Sequence, residues 1–423
     1  MEMTRIRMNP VERFVAALER SLLVWNQPVA AMILAGIIFT GLSWTAGSPW
    51  RLSTAPYYNL LADALLHGQL HLRLIPENTI DLSVFEGRYY LYWGPLPALL
   101  AVPWVALFGP GFSDVLQTLF FSALNVGLLA LVFKAAVDRG VVQLTPAQRA
   151  LLVLFFALGT AYAPITGSGH VWQMAQVQSI LCMFLAYLAA LKLENGKAFF
   201  FTGLAMSGVL LTRMSAVFVA IFLAWYLLHR HWRTGARKLL GYCVLGVLPV
   251  LVTFLLIGLY NYARFGDFLD NGLAYHLMNP YFAHDYATYG LLNLHFLPEN
   301  FYYTYLFYPY TFFPFGVTVR CGSLFLLSPL FFYALYGLWK HRRELAPWML
   351  FLSILLGNIP VLLLMGPGSS LFGPRYTLDF ILPLLLLTAF GMQRASLRLP
   401  ALLVVISIFH YLLGTLIYLQ GVP

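Results

Sequence analysis

The chain has 423 residues, of which 60% are hydrophobic and only 10% are charged, and its mean hydropathy is +0.76. Because polar groups must cover the outside of a water-soluble protein, this composition excludes a soluble domain. The net charge of +9 would suggest nucleic-acid binding in a soluble protein, but basic cytoplasmic loops explain it in a membrane protein, and we expect no nucleic-acid partner.

Apolar segments of about 20 residues, the length of a transmembrane helix, recur along the whole chain. The first begins at Pro28 and lacks a small-residue cleavage site, so we predict a retained helix rather than a signal peptide. Residues 1–423 are predicted to form a single polytopic membrane domain. Its crossings, about eleven in number, are predicted at residues 28–48, 115–136, 150–166, 173–191, 198–212, 214–228, 239–260, 323–339, 348–365, 376–391 and 401–419.

The topology depends on the segment Leu91–Phe108, which is apolar but interrupted by Pro95, Pro97 and Pro103. If it does not cross, most of the 25 basic residues lie on one side, which the positive-inside rule identifies as cytoplasmic. If it did cross, every later loop would change sides and most basic residues would lie outside. We therefore predict an all-α, multi-pass protein of the plasma (inner) membrane with a cytoplasmic N-terminus and an outer C-terminus, and with Leu91–Phe108 in the outer interface.

The first outer loop, residues 49–114, is far longer than the about five residues that a connection needs. Pro56 can begin a helix that runs to Gly68 and places Asp63 and His67 on one polar face, as in a juxtamembrane helix lying in the interface. Asp63 and His67 could form an acid–base pair, two metal ligands or a surface ion pair, and the sequence leaves these alternatives open.

The second half of this loop adds two carboxylates, Asp81 and Glu86, and then a predicted turn at Gly87-Arg88. An aromatic run follows, which fits an interfacial belt as well as a platform that stacks a sugar. It consists of Tyr89, Tyr90, Tyr92 and Trp93.

Several candidate cations lie on the same side of the predicted membrane. Arg213 sits between two short apolar spans, where a charge is costly unless it has a function or a structural partner. Arg375 begins a helix beside Tyr376, with Asp379 one turn later, and could clamp a phosphate or extend to lipid headgroups. A second long outer loop, residues 260–322, contributes Arg264, His276 and Arg320.

Four segments together resemble the GT-C superfamily of polytopic glycosyltransferases, in particular the protein O-mannosyltransferase and lipid A aminoarabinose transferase group. The first combines YYNLLADALLHGQL with the later EGRYYLYWGPLPALLAVP. The others are LLTRMSAVF, YNYARFGDFLDNGLAY and FGPRYTLDFILPLL. The resemblance spans nearly the whole chain through short motifs and implies a GT-C-like fold.

The resemblance also implies a sugar donor attached to a polyprenyl phosphate, with transfer at the outer face to a lipid, polysaccharide or protein acceptor. An Asp or Glu of the first outer loop would act as general base, and a single displacement would invert the anomeric centre. Family members often carry a carboxylate directly after the first span, where this chain reads SPWRLSTAP. We therefore expect the base to be Asp63 or Asp81, supported by His67 and Glu86.

The remaining candidates follow from the chemistry of phosphate departure, which cations stabilise. For the donor phosphate they are Arg375, Arg264, Arg320 and Arg213, and for sugar or acceptor contacts Tyr89, Tyr92, Trp93, His276 and Tyr376. Some relatives use a divalent metal such as Mg²⁺ or Mn²⁺, but no ligand spacing here predicts one. The alternatives are a transporter or lipid-linked sugar flippase, and a non-catalytic scaffold with a GT-C-like fold.

Overall fold

The chain folds almost entirely into helices. The computed structural model describes residues 21–312, 315–318, 321–366 and 372–421. The longer helices are α1 Pro28–Trp44, α2 Tyr57–Leu66, α3 Leu96–Phe108, α4 Asp114–Asp138, α5 Pro146–Leu158, α6 Val171–Lys192, α7 Asn195–Leu210, α8 Ala220–His231, α9 Ala236–Phe265, α10 Pro280–Tyr289, α11 Phe332–Lys340, α12 Leu345–Leu363, α13 Ile381–Met392 and α14 Arg398–Gly421. The predicted all-α architecture is confirmed.

Smaller elements fill the connections. Two antiparallel hairpins pair β1 Ser83–Phe85 with β2 Arg88–Tyr90, and β3 Tyr310–Phe312 with β4 Phe315–Val317. The short helical pieces are Val24–Asn26, Ala163–Ile165, Met214–Val219, Trp232–Thr234, Leu273–Tyr275, Leu294–Phe296, Leu297–Phe301, Tyr302–Leu306, Leu324–Leu327, Pro329–Phe331 and Arg375–Phe380.

The structure contains helices that can cross a membrane several times. Seven segments of the described residues are long and apolar enough: Asp114–Asp138, Val171–Lys192, Met214–Thr234, Ala236–Phe265, Leu345–Leu363, Arg375–Met392 and Arg398–Ile417. Pro28–Trp44, Leu96–Phe108 and Pro146–Leu158 are shorter apolar helices. The chain is thus a multi-pass membrane protein, while the total of about eleven crossings stays a prediction.

Helix α3 occupies most of the segment Leu91–Phe108 that decides the topology. Its 13 residues extend about 20 Å at 1.5 Å per residue, less than the roughly 30 Å hydrocarbon core of a bilayer. It packs against α2, the other helix of the first outer loop. This length and packing agree with an interfacial position.

Helix α2 differs from the prediction of an amphipathic helix with a polar face in the interface. It forms where expected, but its residues from Tyr57 to Ala64 are all buried. Asn59 on the supposedly polar face donates to the carbonyl of Phe112 and accepts a hydrogen bond from Gln117 on α4. The polar face therefore packs inward, because its amide finds partners within the protein.

Two predicted spans are interrupted in the structure. The span at residues 150–166 ends its helix at Leu158, before Gly159 and a short 3-10 turn. The span at residues 323–339 breaks at Ser328-Pro329, because proline has no backbone N–H to continue the helix. Hydropathy detects both segments as apolar but does not resolve these local breaks.

The helices range from central to peripheral. In the most apolar 18-residue stretch of α6, 83% is buried inside the protein, whereas the corresponding share in α9 is 11%. Helix α9 nevertheless packs closely on α7, because Gly203 and Gly246 lack side chains and a Cβ at Gly203 would lie 1.9 Å from the Gly246 carbonyl oxygen. The central α6 begins at Val171, and the candidate site surrounds that end.

Candidate functional site

Asp81 is held where the two long outer loops meet. Its backbone N–H donates to the Leu277 carbonyl at 2.9 Å, and the Leu277 N–H donates to the Leu82 carbonyl at 2.7 Å. Asp81 itself has φ +66°, a left-handed conformation that costs a non-glycine residue energy and persists only where its surroundings enforce it. The pairing of the loops thus fixes a strained residue at their junction.

Two donors orient the Asp81 carboxylate. Trp172, at the start of α6, donates from Nε1 to Oδ2 at 2.8 Å, and His276 Nε2 lies 2.9 Å from Oδ1. The Asp81 side chain remains 20% exposed, whereas that of His276 is only 4% exposed. Each carboxylate oxygen has a fixed partner, and the group is still reachable from outside the protein.

Tyrosines surround this carboxylate. The Tyr92 ring lies 5.2 Å from the His276 ring and 5.5 Å from the Trp93 ring. Burial raises the pKa of Tyr92, and the nearby Asp81 and Tyr376 raise it further. Burial and then Asp81 also raise the pKa of Tyr57. Both hydroxyls stay protonated near neutral pH, and that of Tyr57 donates to the backbone carbonyls of Asn78 and Ile80.

A buried ion pair between Arg213 and Asp379 lies next to the Tyr376 ring. Arg213 donates from Nε and Nη2 to the two oxygens of Asp379, at 2.8 and 2.9 Å. Ser215 Oγ and Gln176 Nε2 donate to the same carboxylate at 2.5 and 3.2 Å. Arg213 was predicted either as a phosphate ligand or as a residue with a structural partner, and in the structure it is paired with Asp379.

Arg375 keeps more of its guanidinium free. It makes no salt bridge with a described residue; Nη2 bonds to the Tyr376 hydroxyl at 3.1 Å. Its Nε is buried without a hydrogen-bond partner among the described residues. A narrow cleft beside it is lined by Thr304, Cys321, Val361 and Pro374.

The other predicted cations have different surroundings. Arg264 is buried and donates to the Leu91 carbonyl and Asn261 Oδ1, both at 2.8 Å, while stacking 3.8 Å over the Tyr260 ring. It ties the end of α9 to the first outer loop. Arg320 lies outside the described residues.

Asp63 and His67 make no described contact with Asp81 and bind other residues instead. Asp63 pairs with Arg73 at 3.0 Å, and His67 Nδ1 lies 3.6 Å from the same carboxylate and 2.8 Å from the Asp63 carbonyl oxygen. An ion pair was one of the alternatives that the sequence left open, but it is not a surface pair, because the Asp63 side chain is only 9% exposed. No three His, Cys, Asp or Glu side chains group as metal ligands within the described part of the chain.

Glu86 and Tyr89 belong to the hairpin that follows Asp81. Glu86 and Gly87 form its turn, with φ +49° and +74°, so the turn lies one residue before the predicted Gly87-Arg88. Glu86 is exposed at the tip, and Tyr89 pairs with Val84 in the hairpin. Glu86 therefore has no described bond to support Asp81.

Gly94 joins the aromatic run of the first outer loop to the Arg213 junction. A Cβ at this position would lie 2.2 Å from the Leu211 carbonyl oxygen, so the backbones touch only because residue 94 is glycine. The Leu96 N–H then donates to that carbonyl at 3.1 Å.

The candidate residues predicted from the sequence did not include three partners in the site: Trp172, Ser215 and Gln176. A tryptophan and a glutamine at the outer end of a central, otherwise apolar helix were the available signal.

Comparisons with known proteins bear on the fold. No protein-family model matches the sequence, and no curated protein matches it either. The apo oligosaccharyltransferase of Archaeoglobus fulgidus is similar in structure over 93% of this chain and 55% of that chain, with a TM-score of 0.52 and 12% sequence identity. The chain has a GT-C fold.

Two further solved structures are similar over most of this chain. One is ArnT from Cupriavidus metallidurans bound to undecaprenyl phosphate, with a TM-score of 0.45, 15% identity, and coverage of 86% of this chain and 60% of that chain. The other is the archaeal oligosaccharyltransferase AglB from Archaeoglobus fulgidus in complex with an inhibitory peptide and a dolichol-phosphate, with a TM-score of 0.49, 12% identity, and coverage of 93% and 56%. The chain thus spans little more than half the length of these proteins.

Within this GT-C fold, the site residues gather at one end of the helix bundle. Asp81 precedes α3, Trp172 begins α6, and His276 follows α9. Gln176, one turn further along α6, donates to the Arg375 carbonyl at 2.7 Å and so contacts the segment before α13. The predicted candidates from three separate outer segments therefore meet around the start of one central helix.

Proposed function

We propose that this protein is a glycosyltransferase that moves a sugar from a polyprenyl-phosphate donor to an acceptor hydroxyl. The observation that carries the proposal is the placement of an oriented, accessible carboxylate and an unpaired arginine at the same end of a GT-C fold. Asp81 supplies the first and Arg375 the second, with Tyr92 and Tyr376 between them.

The reaction requires one displacement at the anomeric carbon. The acceptor oxygen forms a bond to that carbon, the bond to the donor phosphate oxygen breaks with its electron pair, and the anomeric centre inverts. The acceptor hydroxyl must lose its proton, which calls for a base. The leaving phosphate gains negative charge, which Arg375 and the Tyr376 hydroxyl are suited to stabilise.

Asp81 is favoured over Asp63 as the carboxylate that serves this chemistry. Asp63 is already neutralised by Arg73 and lies on α2, away from the described contacts of the site. Asp81 has no arginine or lysine partner among the described residues. Its two donors hold the carboxylate in one orientation while one edge stays accessible.

The lipid part of the donor fits a site at the end of a membrane bundle. A polyprenyl chain would remain in the bilayer while its phosphate reaches Arg375 at the interface. The bias of basic residues toward the opposite loops supports an extracytoplasmic site in the plasma (inner) membrane, with a lipid, polysaccharide or protein as acceptor.

Whether Mg²⁺ or Mn²⁺ assists the transfer is tested by measuring activity after EDTA treatment and again after each ion is restored.

Transfer assays with the purified protein test the proposal. We expect radiolabelled sugar to move from at least one of a panel of polyprenyl-phosphate donors carrying hexoses or pentoses. Asp81→Asn should lower kcat by about 100-fold or more, in the range that loss of general base catalysis produces. Asp63→Asn is the matched control and should retain most of the activity, since its carboxylate is bound by Arg73.

The opposite results would contradict the proposal at different points. If the wild-type protein transfers no sugar from any donor but binds or translocates lipid-linked sugars, the flippase or scaffold alternative replaces it. If Asp63→Asn abolishes transfer while Asp81→Asn does not, glycosyl transfer stands and the assignment of the carboxylate fails.

A further inference from the structure

His276 has one ring nitrogen that the structure does not otherwise explain. Its Nε2 lies 2.9 Å from Asp81 Oδ1, and its side chain is only 4% exposed. Its Nδ1 is buried and has no hydrogen-bond partner among the described residues. A buried polar atom without a partner costs free energy, so this nitrogen calls for a hydrogen-bond donor or acceptor that the described residues do not supply.

The partner of Nε2 determines what Nδ1 can do. A carboxylate accepts hydrogen bonds, so the ionised Asp81 requires the proton of the neutral imidazole to sit on Nε2. The lone pair is then on Nδ1, which becomes an acceptor and lacks a donor. A hydroxyl group is a donor of the right kind, and the acceptor substrate carries one.

We propose that Nδ1 of His276 takes the proton of the acceptor hydroxyl and that Asp81 orients the imidazole and stabilises its charge. This inference rests on the proposed glycosyl transfer and assigns its proton. As the acceptor oxygen bonds to the anomeric carbon, its proton moves to Nδ1, and the electron pair of the broken bond leaves on the donor phosphate. The imidazolium so formed lies next to the Asp81 carboxylate, which favours it.

Two tyrosine rings lie against the imidazole of His276, and one of them is on a weakly held helix. The aromatic neighbours of the imidazole are Tyr92, at 5.2 Å between ring centres, and Tyr286, at 6.1 Å. Tyr286 lies on α10, which has no buried residue and is therefore weakly held. An acceptor that displaces Tyr286 brings its hydroxyl to Nδ1, while Asp81 remains in place through its backbone pairing with Leu277.

The experiment separates a proton acceptor from a residue that only positions Asp81. In His276→Gln the side-chain amide can still donate to Asp81 from the place of Nε2, but no basic nitrogen replaces Nδ1. We expect kcat to fall by about 100-fold or more, with unchanged donor affinity and unchanged melting temperature in detergent. His276→Ala leaves space for a small heterocycle, and added imidazole should restore part of its kcat. His284→Gln, an exposed histidine of the same loop, is the control and should match the wild type.

Each outcome bears on the proposal. Retained activity in His276→Gln would overturn it and assign the proton to Asp81 itself. Loss of activity in both variants without rescue by imidazole would also overturn it, because His276 would then only position its partner. A wild-type protein that transfers no sugar would instead refute the glycosyltransferase, and this step with it.

Discussion

Arg375 and Arg213 are only a few ångströms from the same tyrosine ring but have different roles. The guanidinium carbon of Arg213 lies 5.3 Å from the centre of the Tyr376 ring and that of Arg375 lies 4.8 Å from it. Arg213 donates its hydrogen bonds to Asp379. Arg375 makes no salt bridge with a described residue, and its Nε is buried without a hydrogen-bond partner among the described residues. Of the two arginines, Arg375 is therefore the one that we propose to bind a phosphate.

This difference predicts the effect of removing Arg375. Hydrogen bonds to a charged group contribute about 1.5–3 kcal/mol, so Arg375→Ala should weaken binding of a polyprenyl-phosphate donor by about tenfold to a hundredfold. Equilibrium binding of a fluorescent donor to the purified protein measures the change. Arg73→Ala removes an equal charge from a half-exposed side chain that is paired with Asp63, and it should leave the affinity unchanged. Equal losses in the two variants would indicate a general electrostatic effect rather than a phosphate contact.

The sequence suggested candidate site residues one at a time but did not indicate how they pair. Asp81, His276 and Arg375 were candidates because of their chemistry and their position in outer loops. The pairs Asp81–His276 and Arg213–Asp379 join residues that are 195 and 166 positions apart. A local pattern contains no information about such distances, and the only pair it did suggest was Asp63 with His67 at helical spacing.

At the scale of elements, one buried carboxylate connects three segments of the chain. Asp379 lies in the 3-10 helix Arg375–Phe380, accepts from Arg213 at the end of α7, and accepts from Gln176 on α6. Its side chain is 1% exposed and that of Arg213 is 7% exposed. This ion pair therefore holds the segment that presents Arg375 against the central helix.

Breaking the pair from one side should destabilise the protein. Asp379→Asn leaves the buried Arg213 without a countercharge, which typically costs about 3–5 kcal/mol, and the melting temperature in detergent should fall clearly. The double variant Arg213→Met/Asp379→Leu removes both charges and should recover much of the loss. A double variant that is no more stable than Asp379→Asn would show that the two residues are not coupled.

The elements themselves were largely predictable, because hydropathy measures the length of an apolar segment directly. The helix after Pro56 follows from local composition, whereas the non-spanning position of Leu91–Phe108 stays a prediction from the distribution of basic residues over the whole chain. The hairpin of β1 and β2 and the break at Pro329 depend on turn geometry and on contacts between loops. The inward packing of α2 depends on Asn59 finding Gln117 across the fold.

At the scale of the whole molecule, the site and the basic loops lie at opposite ends of the bundle. Glu86 is exposed at the tip of the hairpin on the site end, and Glu344 is exposed between α11 and α12 on the other. Under the predicted topology the first faces the outside of the cell and the second faces the cytoplasm.

Cysteine labelling tests this orientation. A membrane-impermeant maleimide should label Glu86→Cys in intact cells and Glu344→Cys only after the cells are permeabilised. Two native cysteines, Cys182 and Cys321, are buried, and the unmodified protein serves as the blank. Labelling of Glu344→Cys in intact cells, with protection of Glu86→Cys, would reverse the topology and place the site on the cytoplasmic side.

We propose that one end of this GT-C fold binds a polyprenyl-phosphate sugar between Arg375 and the Asp81–His276 pair. A cryo-electron microscopy structure of the protein with a polyprenyl-phosphate sugar bound would test this placement. We expect the phosphate within hydrogen-bonding distance of Arg375, with the anomeric carbon facing Asp81 and His276. A donor phosphate bound away from Arg375, or a sugar directed away from Asp81, would contradict it.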